Sequence, residues 1–212
     1  MKHFAVIGNP ISHSKSPLIH EMFAQESGLS IFYERVLSEK GQFTETVHEL
    51  IAKGYSGCNV TLPFKEDAFN LAEELSERAR LAGAVNTLSF SDGKIFGDNT
   101  DGQGLVEDLL RSIESLHNKR ILLIGAGGAA KGCIYPLLQA GVSNIAVVNR
   151  TIEKAQLMVE KFNNSMQLSV VAIKDLDDVT PDIIINSTSS SLSNELPFKS
   201  QSVFHEAQLA YD

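Results

Sequence analysis

Cysteine and tryptophan are scarce in this chain. Its 212 residues include two cysteines, Cys58 and Cys133, and no tryptophan. The two thiols form no CxxC pair and fall in predicted core elements, which argues against a disulfide framework or a thiolate metal site. The six histidines show no metal-binding spacing such as HExxH, so we predict no metal site and treat them as incidental polar residues. Such cysteine usage is typical of a reducing compartment, and we expect a cytoplasmic protein.

Basic charge and long apolar runs are also lacking. The chain has 18 Lys and Arg against 26 Asp and Glu, a net charge of −8. Because a nucleic-acid partner needs a basic face, we predict none. No apolar run approaches the roughly 18–20 residues of a membrane span, and Gly8, Asn9 and Pro10 interrupt the apolar N-terminus, so we predict no membrane partner. An anionic ligand must then be held by a local positive site.

The chain is organised around residues 120–131. Arg120–Ile124 is a short apolar run that fits a buried parallel strand. Gly125, Gly127 and Gly128 follow, and then a helix-compatible run begins. A strand, a glycine turn and a helix place backbone N–H groups at the positive end of a helix dipole, which binds phosphate. The spacing matches a dinucleotide-binding turn with Ala130 at the third glycine position, where close packing is the requirement. A plain turn is the alternative.

A second apolar run, Ile145–Val148, ends at Asn149 and Arg150, close to the roughly 20-residue offset at which this fold contacts the ribose. NAD sites place Asp or Glu there, and this chain has neither. Arg150, with Thr151 beside it and Lys154 one turn on, suits a 2′-phosphate, so the sequence favours NADP. The alternative is a solvated cation that follows a strand.

The N-terminal half carries a candidate site for a small anion. After a predicted strand at Phe4–Ile7, the loop contains Ser14, Lys15 and Ser16, and Ser16 before a proline predicts a helix N-cap. Hydroxyls and a cation at a helix N-terminus suit a carboxylate or phosphate. A polar capped loop is the equal alternative on this feature alone.

A second group of polar residues follows the strand predicted at 55–62. Pro63 stops that strand, so Asn59, Thr61 and Lys65 lie at or beyond its carboxyl end, where open α/β sheets bind ligands. A solvated lysine is the alternative for Lys65.

The remaining segments predict an α/β protein of two domains. Leu71, Leu75, Ala79 and Ala82 repeat at helical spacing, and Ser91-Asp92-Gly93 predicts a hairpin turn between strands at 86–90 and 94–97. We place the boundary at Asp101, which gives a domain at 1–101 with a mixed sheet and a Rossmann-type domain at 102–212, with the cleft between them. A serine-rich loop at 187–191 is expected on the ligand side of the second sheet.

An NADP unit joined to a small-anion site implies hydride transfer to or from a small acidic molecule. Reducing a ketone puts charge on oxygen, which a positioned acid must neutralise. Lys65 and Asp101 are the best pair for this role. We expect Asn59, Thr61 and Asn86 to supply neutral hydrogen bonds to substrate hydroxyls.

Six segments of the chain resemble the shikimate dehydrogenase family. They are Gly-Asn-Pro-Ile-Ser-His-Ser-Lys-Ser-Pro (8–17), Asn-Val-Thr-Leu-Pro-Phe-Lys (59–65), Ala-Gly-Ala-Val-Asn-Thr (82–87), Gly-Asp-Asn-Thr-Asp-Gly (97–102), Gly-Ala-Gly-Gly-Ala (125–129) and Asn-Arg-Thr (149–151). The resemblance implies NADPH-dependent reduction of 3-dehydroshikimate to shikimate, a step of chorismate and aromatic amino-acid biosynthesis.

The resemblance also implies a role for each matching residue. Ser14 and Ser16 would bind the substrate carboxylate, and Lys65 would be the acid–base group with Asp101 as its partner. The residues implied to hold ring hydroxyls are Thr61, Asn86 and Asp101, with Asn59 nearby. Those implied to hold NADP are Gly125, Ala126, Gly127, Gly128 and Ala129 at the pyrophosphate, and Asn149, Arg150 and Thr151 at the 2′-phosphate. Lys154 stands where the family often has arginine.

Members of this family continue beyond the position of Asp212, so we expect further residues in the natural protein. Two alternatives stay open: a quinate/shikimate dehydrogenase of relaxed cofactor choice, and a nucleotide-binding form without turnover. We expect a monomer or a homodimer.

Overall fold

The computed structural model describes residues 1–162, 166–188, 198 and 202–212. They form two compact units, Met1–Thr100 and Asp101–Asp212. Each unit combines one β-sheet with helices, so the α/β class predicted from the sequence is confirmed. Within the segment 187–191, which is predicted to lie on the ligand side of the second sheet, residues 189–191 lie outside the described residues.

The first unit has a mixed sheet, as predicted. Its strands are β1 (Lys2–Gly8), β2 (Ile31–Leu37), β3 (Gly57–Val60), β4 (Glu74–Leu75), β5 (Thr87–Ser91) and β6 (Lys94–Asp98). Its helices are α1 (Ser16–Glu26), α2 (Phe43–Ala52), α3 (Lys65–Leu71) and α4 (Glu77–Ala82). The strand order is β2-β1-β3-β5-β6-β4. β1 pairs in parallel with β2 and β3, whereas β5 runs antiparallel to β3 and β6.

The core of the first unit lies on one face of this sheet. Ala5 and Ile7 alternate along β1 and pack in one buried cluster with Val47 and Leu50 of α2, because every second strand residue faces the same side. α1 behaves differently. Its apolar residues repeat at helical spacing, but they are largely exposed: Leu18, Ile19, Met22 and Phe23.

The helical packing predicted from Leu71 to Ala82 is wrong as one continuous element. The chain leaves α3 after Leu71, pairs Glu74 and Leu75 with β6, and only then starts α4. The break between the two helices results from strand pairing with residues distant in the sequence. The local apolar spacing therefore could not reveal it.

The predicted hairpin is confirmed. Ser91 pairs with Lys94, and the two residues between them, Asp92 and Gly93, have φ values of 53° and 75°. Two positive φ values are those of a type I′ turn, for which Asp-Gly is a favoured pair.

The second unit is a parallel doubly wound sheet. Its strands are β7 (Arg120–Ile124), β8 (Asn144–Val148), β9 (Leu168–Val171), β10 (Ile183–Asn186) and β11 (Leu209–Tyr211). Its α-helices are α5 (Asp101–Ser112), α6 (Gly128–Gln139) and α7 (Ile152–Glu160), and 3-10 helices span Ile173–Asp178 and Ser202–Phe204. The order β11-β10-β7-β8-β9 is the Rossmann order, which reverses between β7 and β10. Open α/β sheets bind ligands at such a switch point.

Both faces of β7 are buried. Ile121 and Leu123 pack in one apolar cluster with residues of α5 and α6, while Leu122 and Ile124 pack in another with Leu176. Burial of both faces explains why the sequence of β7 is a continuous apolar run. A Cβ on Gly102 would lie 2.1 Å from the Gly132 carbonyl oxygen, so α5 and α6 meet backbone to backbone.

Among the described residues, no helix combines the length and apolar character needed to cross a bilayer. The same part of the chain contains no group of His, Cys, Asp and Glu arranged to hold a metal ion.

Candidate active site

Residues 9–15, called the serine loop below, join the carboxyl end of β1 to α1. Ser14 Oγ accepts a hydrogen bond from the Ser16 backbone N–H at 3.3 Å and donates to Ser16 Oγ at 3.1 Å. α1 starts at Ser16, with Lys15 at the N-cap and no side-chain cap from that residue. The helix therefore begins one residue earlier than predicted, and the hydroxyl that meets its N-terminus belongs to Ser14 rather than Ser16. Both predicted serines nevertheless lie side by side and half-buried.

Arg35 holds this loop from the neighbouring strand β2. Its Nε donates to the Ser14 carbonyl oxygen at 2.7 Å. Arg35 is exposed and forms no ion pair with a carboxylate in the described part of the chain. The loop thus combines two hydroxyls with a fixed guanidinium, a combination that suits a carboxylate.

Asn59 is connected to the serine loop through two aromatic rings. The His20 ring stacks on Tyr33 with centroids 4.2 Å apart and planes 16° apart. His20 Nδ1 lies 2.9 Å from the Ser16 carbonyl oxygen, so Nδ1 carries a proton, because a carbonyl only accepts. Tyr33 in turn donates to Asn59 Oδ1 at 2.6 Å.

The side chains of Asn59 and Asn86 are linked through the hydroxyl of Thr87. Asn59 Nδ2 donates to Thr87 Oγ1 at 3.2 Å, and Thr87 Oγ1 donates to Asn86 Oδ1 at 2.9 Å. The backbone N–H of Thr100 also donates to Asn86 Oδ1, at 3.1 Å. Since a backbone N–H can only donate, it identifies the oxygen end of this amide and leaves Nδ2 as its donor end. Asn86 is 8% exposed.

Thr61 lies in the turn that follows β3, and Lys65 begins the helix after that turn. The Thr61 N–H donates to the Ile7 carbonyl oxygen at 2.9 Å, which holds the turn against the end of β1. Phe64 is buried and stacks on Phe43 with centroids 5.2 Å apart, which anchors the start of α3. Lys65 is the first residue of α3 and half-buried. Its carbonyl oxygen accepts from the Val85 N–H at 2.9 Å, so Lys65 lies beside the segment that carries Asn86.

Gly8 makes room for this arrangement. A Cβ at Gly8 would lie 2.6 Å from Thr61 Cγ2 and 2.9 Å from Ile11 Cδ1. Any other residue would therefore push apart the serine loop and the Thr61 turn, which follow adjacent strands.

The structure thus links four of the predicted residues of the first unit, Ser14, Ser16, Asn59 and Asn86, and places Thr61 and Lys65 after the carboxyl end of β3. A continuous chain of contacts runs from Ser14 through Ser16, His20, Tyr33, Asn59, Thr87 and Asn86 to Thr100. The sequence did not identify Tyr33, Arg35, Thr87 or Thr100, and it left His20 as an incidental polar residue. One signal was available: Tyr33 and Arg35 are two residues apart on a predicted strand, so they share a face. Asp101 begins α5 of the second unit and is half-buried, and its pairing with Lys65 stays a prediction.

The glycine turn of the second unit lies at the switch point between β7 and β10. Gly125 has φ of +113°, and its N–H donates to the Val148 carbonyl oxygen at 2.8 Å. A Cβ there would lie 2.7 Å from Ser187 Oγ, which itself donates to the Ile124 carbonyl oxygen at 2.6 Å. The turn is therefore enclosed by the ends of the two adjacent strands, and a side chain at Gly125 would both clash and strain the backbone.

Gly127, in contrast to Gly125, has an unstrained backbone and no close neighbour. It occupies the N-cap of α6 with ordinary φ of −85°, and a Cβ there would meet nothing within 4 Å. α6 starts at Gly128, and the glycine at its N-cap has no side chain that could accept hydrogen bonds from the N–H groups of the first turn. The N-terminus of α6 therefore begins beside open space at Gly127, an arrangement that suits a pyrophosphate group. Ala126 and Ala130 are buried, so they pack the turn, while Ala129 is exposed.

The polar group after β8 lies at the carboxyl end of the neighbouring strand. Asn149 Nδ2 donates to the Thr151 carbonyl oxygen at 2.8 Å, and Thr151 is the N-cap residue of α7. Arg150 and Lys154 are exposed and form no ion pair with any carboxylate among the described residues. Two cations next to a glycine turn are a suitable environment for a phosphate group.

Family models match segments in both units of the chain. A model described as the shikimate dehydrogenase substrate binding domain matches residues 6–88, and one described as shikimate / quinate 5-dehydrogenase matches residues 107–197. A protein of Shewanella woodyi named shikimate dehydrogenase (NADP(+)) is 52% identical over 99% of this chain and 76% of its own length.

Solved structures with the same fold also match this chain. An Ael1 enzyme from Pseudomonas putida superposes with a TM-score of 0.95 at 41% identity, over 100% of this chain and 78% of that one. Shikimate 5-dehydrogenase from Thermus thermophilus, in complex with NADP(H) and shikimate, has a TM-score of 0.86 at 29% identity over the same shares.

Proposed function

The chain belongs to the shikimate dehydrogenase family, and on this premise we propose that it catalyses the reversible, NADP-dependent reduction of 3-dehydroshikimate to shikimate. The reaction is a step towards chorismate and the aromatic amino acids. The observation that carries the proposal is the chain of contacts from Ser14 to Thr100. It gathers hydroxyl and amide groups, and the Arg35 guanidinium is bonded to its first member, Ser14. These groups complement a hydroxylated ring acid.

The serine loop is proposed to bind the substrate carboxylate. Ser14 and Ser16 offer hydroxyl donors, and the fixed guanidinium of Arg35 supplies a positive charge in a protein with net charge −8. Asn59, Thr61 and Asn86 are proposed to bind the ring hydroxyls. Buried amides discriminate well, because a substrate that lacks a hydroxyl leaves them unpaired.

Lys65 is proposed as the acid–base group. In the reductive direction its ammonium donates a proton to the carbonyl oxygen of the substrate as that oxygen gains negative charge, and in the oxidative direction the neutral amine takes the proton back. The first residue of a short helix behind a buried Phe64 is a fixed position for such a group. Asp101 is proposed as its partner.

NADP, when bound, supplies or accepts the hydride. The residues proposed to hold its pyrophosphate are Gly125, Ala126, Gly127, Gly128 and Ala129. Asn149, Arg150, Thr151 and Lys154 are proposed to hold the 2′-phosphate, which NAD lacks. We propose that the protein is cytoplasmic and a monomer or homodimer. Within the described residues neither Cys58 nor Cys133 forms a disulfide, and both are buried.

The test is oxidation of shikimate by the full-length natural protein, followed by the rise in nicotinamide absorbance with NADP⁺. We expect turnover with shikimate and a much weaker response to shikimate methyl ester, whose carboxylate charge is removed. Equal turnover with NAD⁺ and NADP⁺ would favour the relaxed-cofactor alternative. Nucleotide binding without any turnover would favour a binding form and reject the proposed activity.

A further inference from the structure

Asp98 ends β6 and lies two residues before Thr100. Its carboxylate accepts four hydrogen bonds: two from the Arg78 guanidinium, Nε to Oδ1 at 2.7 Å and Nη2 to Oδ2 at 2.5 Å, one from Ser76 Oγ at 2.6 Å and one from the Asn99 N–H at 2.8 Å. The Arg78 side chain is 32% exposed and that of Asp98 is 18% exposed. The guanidinium of Arg78 holds the pKa of Asp98 down to about 2, with Ser76 and the Asn99 N–H acting in the same direction.

These contacts connect Asp98 to the start of α4. Ser76 is the N-cap of that helix, and its Oγ accepts from the Ala79 N–H at 3.1 Å while it donates to Asp98. Arg78 lies in the first turn of the same helix. The carboxylate therefore holds α4 through a capping hydroxyl and a bidentate cation, a geometry that fixes direction as well as distance.

The far end of α4 leads directly to Asn86. The helix ends at Ala82, and its C-cap residue Gly83 has the left-handed conformation with φ of 61°. Beyond it, Asn99 Nδ2 donates to the Ala84 carbonyl oxygen at 3.0 Å, and the Asn86 N–H donates to the Asp98 carbonyl oxygen at 3.0 Å. The segments 76–86 and 97–100 are thus joined at both ends of α4, and the Thr100 N–H completes the connection at Asn86 Oδ1.

From this geometry we propose that Arg78 and Asp98 are positioning residues for the site: through α4 and the 97–100 segment they fix the orientation of the Asn86 amide. The consequence for substrate rests on the proposed function, whereas the consequence for the Thr100–Asn86 hydrogen bond does not. Loss of Arg78 leaves a largely buried carboxylate without its cation, and the segment that carries Thr100 shifts away from Asn86.

The kinetic arm compares Arg78→Met with a matched control, Arg120→Met. Arg120 makes the same kind of bidentate contact with Asp182, from Nε at 3.1 Å and Nη2 at 3.1 Å, in the second unit. For Arg78→Met we expect kcat/KM for shikimate to fall by about tenfold or more, because small displacements of binding groups cost catalysis heavily, with KM for NADP⁺ nearly unchanged. Arg120→Met should change neither. Arg78→Lys keeps the charge but loses the planar fork, so we expect an intermediate loss in a protein that folds.

The structural arm measures hydrogen exchange of the Thr100 amide, which requires no turnover. We expect exchange about tenfold faster in Arg78→Met than in wild type, a smaller increase in Arg78→Lys, and no change in Arg120→Met. Wild-type exchange at Thr100 in both Arg78 variants would overturn the inference. Faster exchange with unchanged kcat/KM for shikimate would also overturn it, because the pair would then only stabilise the fold. An inactive wild-type protein would reject the proposed function, and the exchange rates would still decide whether Arg78 orients Asn86.

Discussion

The Tyr33 hydroxyl donates a hydrogen bond to Asn59 Oδ1 at 2.6 Å, and this contact orients the Asn59 amide. Burial raises the pKa of Tyr33 well above its ordinary value, so the hydroxyl stays a donor throughout the pH range of an assay. Asn59 Nδ2 is consequently directed towards Thr87 Oγ1, 3.2 Å away. A tyrosine that the sequence did not single out therefore sets the orientation of a predicted substrate residue.

Tyr33→Phe removes this hydrogen bond and keeps the ring that stacks on His20. We expect KM for shikimate to rise about fivefold, the equivalent of about 1 kcal/mol for one neutral hydrogen bond, with little change in kcat. Steady-state kinetics check this. Tyr55→Phe is the matched control, because Tyr55 donates to Glu34 instead. A Tyr33→Phe enzyme with wild-type KM would show that Asn59 needs no such support.

Lys65→Ala removes the proposed acid–base group. We expect kcat to fall by about 10²–10⁴-fold, the usual contribution of general acid–base catalysis, with a modest change in shikimate affinity. Single-turnover kinetics and calorimetry separate the two effects. A variant that retains the wild-type rate would remove Lys65 from the mechanism.

Arg150→Ala removes a cation from the proposed 2′-phosphate site. The dissociation constant for NADPH should rise by about 10–100-fold, because hydrogen bonds to charged groups are the stronger class. The dissociation constant for NADH should not change. Lys174→Ala, an exposed lysine of the same unit, serves as the control for net charge. Equal losses for both nucleotides would place Arg150 elsewhere than at the 2′-phosphate.

Gly127→Ala and Gly125→Ala separate ligand approach from folding. At Gly127 a methyl group meets no protein atom within 4 Å, so we expect the free energy of unfolding to stay within about 0.5 kcal/mol of wild type while NADPH affinity falls. At Gly125 the φ of +113° and the 2.7 Å approach to Ser187 Oγ should destabilise the unit by about 1–3 kcal/mol. Denaturant unfolding and calorimetry measure the two quantities. Full NADPH affinity in Gly127→Ala would argue against a pyrophosphate at this turn.

The ion pair of Arg78 and Asp98 predicts a pH dependence of stability. The pKa of Asp98 is lowered from 3.8 to about 2 in the folded protein, so its stabilising contribution is complete above the unfolded value and is lost as pH falls through the folded value. The difference in unfolding free energy between wild type and Asp98→Asn should therefore be constant above about pH 4 and shrink towards about pH 2. Urea titrations at several pH values test this, and a difference that persists undiminished at the lowest pH would contradict it.

The elements that local sequence specifies were predicted well. Arg120–Ile124 could be predicted as a strand, because its short continuous apolar run suits a strand that is buried on both faces. Asp92-Gly93 could be predicted as the hairpin turn, because these residues tolerate positive φ. Contacts between distant residues could not be predicted in this way. Tyr33 and Asn59 are 26 residues apart and Arg78 and Asp98 are 20 apart, so their pairing depends on strand register and on the position of α4. For the same reason the apolar spacing from Leu71 to Ala82 did not reveal that Glu74 and Leu75 join the sheet.

The transfer of deuterium from NADPH to product tests the central claim most directly. The protein is incubated with 3-dehydroshikimate and NADPH that carries deuterium at both C4 positions of the nicotinamide ring, and the product is analysed by mass spectrometry. The proposed function predicts shikimate with one deuterium, on the carbon that was the ketone. Shikimate without deuterium, or no shikimate at all, would contradict it.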